Sequence, residues 1–410
     1  MNIYKKIIIS IFVLLFSSWS LSEELILKNA KIHTATEKGT LENTDILIRN
    51  GLIVRIGKNL NSSRAKVKDL SGKVVSPGLI ATQSQLGIVE IELVPETRDD
   101  RSEIYSAGLS IDSAFNPSST LIPYNLTGGV TLSLTTPSSS GLFSGLTSAF
   151  SLSGSLEGSL IRSNIALSAN INGGEDSLAA KIQLLEDFLD LSKFVESKST
   201  FDMDDYEFFM PSSANYSMRD LLAINKVANK EIPLIIKANR ASDILTLINF
   251  AKKKDIDLII DGAEEGWRVS KQLSKAGVPV ILQPIDNIPN SFSELGSRLD
   301  NASLLHKSGV KILISSHETH NSYLSRQGAG IAVSYGLPWQ EAFNGLTKNI
   351  AEVFKLSKRG SIKPGYIADI VVWSGDPLEV TTFVEQVYIS GEIIPLKNRS
   401  MRLKDRYIGN

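Results

Sequence analysis

The feature that most constrains this chain is a change of rhythm along its length. Both ends carry short segments of alternating apolar and polar residues, while the middle alternates apolar runs with amphipathic helical stretches. At the start, Leu25–Thr34 and Asp45–Ile56 alternate in the manner of half-buried strands, with Asn50-Gly51 marking a type I′ hairpin turn. Lys66–Asp69 and Lys73–Val75 continue the pattern, and Ala368–Trp373 and Val384–Ile394 repeat it at the far end, with a turn at Ser390-Gly391. Neither set suffices for a sheet core alone, so the two together predict one small β-sandwich assembled from both termini, residues 24–75 and 359–396.

In the middle, Leu79–Thr82, Gly129–Thr135, Ile165–Ser168, Pro233–Lys237, Leu258–Asp261, Val278–Leu282 and Val310–Ser315 read as buried strands. Leu178–Ser197, Ala241–Lys253, Glu265–Lys275 and Asn301–Lys307 carry the i, i+3, i+4 apolar spacing of helices. Strand–helix units repeated over about 280 residues point to the α/β class and to a closed (β/α)8 barrel of the TIM type, residues 76–358. A doubly wound open sheet is the rival, but no glycine-rich nucleotide loop follows the first strand. The Ser/Gly-rich stretch Thr136–Gly158 reads as loop and hairpin rather than linker.

Residues 1–22 are of another kind. Lys5 and Lys6 precede an apolar run from Ile7 to Phe16, and Ser20-Leu21-Ser22 supplies small residues at a cleavage site. This is the pattern of a secretory signal peptide, with a run too short for a comfortable membrane span, and an uncleaved N-terminal anchor is the alternative. Export predicts a periplasmic or secreted mature protein. Cleavage removes two lysines and no acid, leaving 41 basic against 44 acidic residues and a net charge of −3. That balance gives no reason to expect nucleic acid, or a membrane once the leader is gone, as a partner. Cysteine is absent, which excludes thiol nucleophiles, zinc–thiolate sites, iron–sulfur clusters and lipoprotein anchoring.

Lys73-Val74-Val75-Ser76-Pro77-Gly78-Leu79-Ile80 and Gly360-Ser361-Ile362-Lys363-Pro364-Gly365-Tyr366-Ile367-Ala368-Asp369-Ile370-Val371-Val372-Trp373 strongly resemble the amidohydrolase superfamily. The likeness is to its imidazolonepropionase-like and dihydroorotase-like members, where these segments leave and rejoin the sandwich. Ala114-Phe115-Asn116-Pro117, Gly141-Leu142-Phe143-Ser144-Gly145, Arg240-Ala241-Ser242-Asp243-Ile244 and Ala332–Trp339 resemble an exported branch of the same family. The resemblance spans nearly all of residues 25–395. It implies hydrolysis of carbon–nitrogen bonds other than peptide bonds in small molecules, driven by zinc or another divalent ion.

In catalytic members strand one ends in His-x-His, strands five and six each bring a His, and strand eight brings an Asp. Those groups fix the ion that acidifies a bound water. Here strand one ends in Gln83-Ser84-Gln85, and the strand-five position falls at Lys237 or Asn239. Strand six offers Asp261-Gly262-Ala263-Glu264, and strand eight places Ser316 about where the Asp belongs. The former ligand positions are therefore Gln83, Gln85, Lys237, Asn239 and Ser316. A glutamine carbonyl is a feeble zinc ligand and an ammonium repels the ion, so no metal cofactor is expected.

Lys237, His317 and Glu264 are the candidate catalytic residues. A lysine at the barrel mouth is expected to pair with Glu264, Glu265 or Asp261, standing in for the lost metal charge, or to serve as a base or Schiff-base amine. His317-Glu318-Thr319-His320 follows strand eight, but its histidines are three apart and it lacks zinc-protease spacing. It reads as a solvated or ligand-contacting loop. The acidic run Glu90, Glu92, Glu96, Asp99, Asp100 and Glu103 reads as solvated surface. His33, His306 and the tryptophans Trp267, Trp339 and Trp373 are read as packing or solvation residues.

Two readings of function follow. In one, hydrolysis survives with Lys237, His317 and nearby carboxylates in new roles. In the other, the chain is a non-catalytic member that binds a small-molecule ligand or pairs with an active paralogue. Homodimerisation is the further expectation from the family.

Overall fold

The computed structural model describes residues 24–139, 141–172, 176–197, 216–286 and 289–408. The leader read at residues 1–22 lies outside them. The chain opens with β1 (Glu24–His33), β2 (Thr40–Arg49), β3 (Leu52–Gly57), β4 (Ala65–Asp69) and β5 (Val74–Pro77). Asn50 and Gly51 adopt φ of 48° and 76°, so the β2–β3 connection is the tight left-handed turn that Asn-Gly favours.

A second set of strands runs β6 (Leu79–Ser84), β7 (Val130–Thr135), β8 (Phe143–Ser151), β9 (Leu160–Asn170), β10 (Leu234–Ala238), β11 (Leu258–Gly262), β12 (Val280–Leu282) and β13 (Ile312–Ile314). These form one eight-stranded sheet in chain order, which curls into a nearly closed barrel. Ser315 Oγ bridges the remaining gap, donating to Thr82 O at 2.6 Å. Helices Leu178–Ser197, Ala241–Lys254 and Asn301–Lys307 lie where apolar spacing puts them, while the expected Glu265–Lys275 begins as a 3-10 turn, Gly266–Val269, and becomes α-helical only at Ser270–Ala276. Helix Met218–Ala228 starts on a reciprocal Ser217–Asp220 capping box, and Gly277, at φ +66°, stops Ser270–Ala276.

One strand departs from the uniform βα repeat. β8 pairs antiparallel with both β7 and β9, so seven strands run one way and one runs back. It comes from the Ser/Gly-rich stretch, whose hairpin character thus builds a wall of the barrel. Thr136, Thr147 and Ser168 exchange hydroxyl hydrogen bonds across this region, at 2.8 Å and 3.4 Å.

The chain then returns through β14 (Ile370–Trp373), β15 (Val384–Ile389) and β16 (Glu392–Ile394) to the first sheet. That sheet is continuous, ordered β16-β15-β14-β5-β1-β2-β3, with β4 also pairing β1. Its core mixes both termini: Ile32, Ile46, Ile48 and Val75 pack with Ile362, Ile370, Val372 and Tyr388. No helix among the described residues is long and apolar enough to cross a membrane.

Candidate active site

The barrel interior is filled by one inward residue per strand level: Ile80, Leu132, Ile235, Ile259, Ile281 and Leu313 belong to a single buried cluster. Side chains two positions further along a strand face the same way. That parity brings Lys237, Asp261, Gln283 and Ser315 to the inner rim at the strands' C-terminal ends, the end that carries the site in barrels of this kind. Lys237 and Asp261 are partners in register on neighbouring strands, and Lys237 is likewise opposite Asn170.

Across this rim, His317 Nε2 lies 2.8 Å from Asp261 Oδ1. The two atoms are at ion-pair distance but off the axis of a ring N–H bond, and neither has another hydrogen-bond partner among the described residues. The imidazole is held there by a left-handed backbone, φ +52° at His317. Gln83, Gly262 and Ala263, also at strand ends, have φ of 54°, 98° and 52°. Non-glycine residues in that region cost energy and cluster where a site is held in place.

Lys237 departs from expectation. It is half-buried and lines a cavity of about 20 Å³ with Glu264, Asp286 and Glu294, yet it makes no ion pair or hydrogen bond with a described residue. Its expected partners are committed elsewhere. Asp261 turns to His317, and Glu265 Oε2 accepts from Ala241 N at 3.0 Å and from Arg268 at 3.3 Å. Glu264 sits in a crowd of acids: burial first, then Glu294, Asp286 and Asp261, push its carboxyl up to about 7, against a lowering hydrogen bond from Ser297.

Most of the other positions where the resemblance leads us to expect former ligands make hydrogen bonds within the fold. Gln85 Oε1 accepts from Thr319 Oγ1 at 2.8 Å, tying strand one to the loop after strand eight. Ser84 Oγ and Ser322 Oγ make a second tie at 3.0 Å. Ser316 Oγ faces its own loop, 3.3 Å from Ser322 O. Asn239 is buried and donates to Glu294 Oε1 at 2.9 Å, leaving Asn239 Oδ1 without a partner among the described residues. Gln83 has no side-chain bond to a described residue. No three histidine, aspartate or glutamate side chains among the described residues gather as a metal site.

The His317-Glu318-Thr319-His320 motif splits. His320 turns outward, 3.7 Å from Glu92, and Glu318 is exposed. The acidic run after strand one is not uniformly solvated: Asp100 is fully buried, gripped by Arg98 at 2.7 Å and 3.0 Å and bonded to Ser138. Only its partners in space, not the run itself, distinguish it. His33 is a core residue whose ring is tilted against that of Trp339, centroids 4.3 Å apart, and its burial lowers its pKa to about 4. Trp373 is wholly buried, while Trp267 and Trp339 are half-buried.

A nearly closed eight-stranded barrel with polar groups converging at its strand ends, joined to a sheet built from both termini, defines a TIM-type barrel scaffold with an added β domain. Residues 253–394 match the amidohydrolase family. A solved amidohydrolase from Thermotoga maritima superposes with a TM-score of 0.79 at 25% identity, covering 90% of this chain and 99% of that one. A dihydroorotase of Bacillus cytotoxicus is 43% identical over 44 residues, 11% of this chain and 10% of its own length. Amidohydrolase tasK of Hapsidospora irregularis is 45% identical over 58 residues, 14% of this chain and 6% of its own. The matched stretches thus span a tenth or less of these two relatives. Residues 253–394 thus match the amidohydrolase family, and the fold over most of the chain is that of a solved amidohydrolase.

Proposed function

We propose that this amidohydrolase-type barrel has exchanged metal-dependent hydrolysis for metal-free binding of a small polar molecule at its mouth. The observation that carries the reading is the pair Asp261 Oδ1 and His317 Nε2, both buried and otherwise unpartnered, beside a Lys237 with no described partner. Buried polar atoms left unsatisfied ask for an occupant, and here an acceptor, an imidazole nitrogen and an ammonium point at one rim. A neutral or anionic ligand carrying both donors and acceptors satisfies all three.

The donor set does not fit a catalytic divalent ion. His317 and Asp261 are two ligands where a working site takes at least three, Gln85 and Ser316 are engaged elsewhere, and Lys237 stands next in register to Asp261. Elemental analysis of the purified mature protein tests this: well under a tenth of an equivalent of zinc, manganese or iron per chain is expected. Near-unit metal, retained through gel filtration and removed by a chelator, overturns it.

The His317–Asp261 contact also favours a second reading, metal-free hydrolysis of a cyclic amide. A carboxylate-backed imidazole is a competent general base, and dihydroorotases are among the relatives. Turnover of such amides in the presence of chelator, abolished by His317→Ala, would distinguish it from binding alone. The leader at residues 1–22 supports a periplasmic or secreted location, and a homodimer or an active paralogue is the proposed protein partner; sizing of the mature chain tests the former.

A further inference from the structure

Away from the mouth, at the foot of the barrel where strands begin, two cavities adjoin. The first, about 420 Å³, lies under the starts of β10, β11 and β12 and the C-terminal ends of helices Ala241–Lys254 and Ser270–Ala276. Ile248, Ile256, Val278, Pro279 and Val353 make part of its wall apolar, and Lys252, Asp255 and Asp257 line the rest with Lys355. The second, about 400 Å³, lies between the turn at Thr36-Glu37 and the segment 348–363. Lys348, Lys355, Lys358, Arg359 and Lys363 line it against two acids, Glu37 and Glu352. Lys355 lines both cavities.

Some of these cations are already occupied. Arg359 is bonded to buried Asp369. Lys348 reaches Glu37 at 3.6 Å and Glu352 at 3.8 Å, and Glu352 is also held by Lys311 at 2.8 Å. Lys363 lies over the Tyr366 ring at 4.4 Å. Lys355 and Lys358 have no side-chain partner among the described residues.

Both unpaired lysines sit at left-handed backbone positions, φ +53° and +59°, where glycine or asparagine is accommodated at less cost. Their frame is fixed. Arg162 Nη1 donates to Phe354 O and Lys355 O, both at 3.1 Å, and Lys358 O accepts from Ile367 N at 2.9 Å. The loop thus places Lys355 at the seam between the two chambers and Lys358 within the basic one.

We propose that the two chambers form one site for an amphiphilic phosphate monoester. The dianionic head sits between Lys355 and Lys358, where several cations outweigh the acids, and a short apolar chain lies along Ile248, Ile256 and Val278. The site is remote from the barrel mouth and does not rest on the function proposed there.

Calorimetric titration of the mature full-length protein at low ionic strength tests it, with decyl phosphate below its micelle concentration, inorganic phosphate and decanol as probes. Decyl phosphate is expected to bind at least tenfold tighter than either other probe. Lys355→Gln/Lys358→Gln should weaken it at least tenfold, and Ala276→Trp, which fills the first chamber from an exposed helix end, should do the same. All three positions are exposed, so an unchanged melting temperature is expected and serves as the control. Absence of decyl phosphate binding, an unchanged Kd in the double lysine variant, or inorganic phosphate or decanol binding as tightly as decyl phosphate overturns the two-chamber site.

Discussion

His317 Nε2 stands 2.8 Å from Asp261 Oδ1, joining the ends of β11 and β13 across the inner rim of the barrel. The contact links those two strand ends side chain to side chain. Both side chains are largely buried, so removing either strands the other in a low-dielectric rim. Asp261→Asn and His317→Ala should each destabilise the protein, and the double variant should lose less than their sum. A coupling of about 0.5–3 kcal/mol is expected, measured by urea unfolding of the four-member cycle. Strict additivity would mean that the contact does not hold the rim together.

Lys237 behaves differently from a residue that replaced a metal by pairing with acids. With no ion pair to a described residue to break, Lys237→Met should shift stability by less than about 0.5 kcal/mol at neutral pH. On the binding role proposed for the mouth, it should also weaken the ligand held there, since of the three polar groups at the rim the ammonium alone has no contact with a described residue. Thermal denaturation with and without that ligand separates the two effects. A loss of several kcal/mol in the free protein would show that Lys237 is structural after all.

Most strands were legible because barrel strands buried on both faces are runs of branched apolar residues, as in Leu258–Asp261 and Val310–Ser315. β8 was not, since its inward positions include Thr147 and Ala149, small or polar groups that carry no hydrophobic signal. The composite sheet was readable from paired strand signals and from Asn50-Gly51 and Ser390-Gly391, whose residues all have positive φ. The site was legible only as positions. Asp261 and His317 each stood out at a strand end, but their contact depends on a left-handed backbone at His317 that no local residue announces. The absence of an ion pair at Lys237 is equally a matter of its neighbours, because Glu265 is drawn off to Ala241 and Arg268.

Glu264 makes the mouth sensitive to pH. Its carboxyl is raised from 4.5 to about 7, chiefly by burial, so the folded state holds this proton more tightly than the unfolded chain does. The group therefore costs nothing below about pH 4.5, and its penalty grows as pH rises to about 7 and stays constant above. Glu264→Gln should be more stable than the parent at pH 8 by about 1–3 kcal/mol, with the advantage gone at pH 4. Chemical denaturation at both pH values checks this. A variant no more stable at pH 8 than at pH 4, each relative to the parent, would place the Glu264 carboxylate in contact with compensating charge.

His33 works in the opposite direction. Burial against Trp339 and Phe343 lowers its pKa from 6.5 to about 4, so the unfolded chain takes up the proton first as pH falls. Stability from this group is complete above about pH 6.5 and is lost progressively toward pH 4. His33→Gln, which keeps a polar partner for Thr40 Oγ1, now 2.8 Å from His33 Nδ1, should flatten the stability profile in that window. An unchanged slope between pH 4 and 6.5 would assign the acid sensitivity to other groups.

The return of the chain to its first sheet is fastened by Trp373. Its indole is fully buried in β14, and Nε1 donates to Ser76 Oγ in β5 at 2.8 Å. The ring lies against Gly129, just before β7, so closely that a Cβ there would fall 2.2 Å from the indole. One side chain thus touches the N-terminal strands, the C-terminal strands and the barrel. Trp373→Ala should cost about 3–5 kcal/mol, the range for emptying a large aromatic site in a packed core, and Gly129→Ala should also destabilise, through the clash and the φ of +89° there. Deleting residues 368–396 removes β14 to β16 and uncovers Ile32, Ile46, Ile48 and Val75, so the truncated chain should aggregate or lose cooperative unfolding. Calorimetry of the three proteins orders these effects. A soluble truncation with the parent's melting transition would mean that the N-terminal strands close their core without the returning segment.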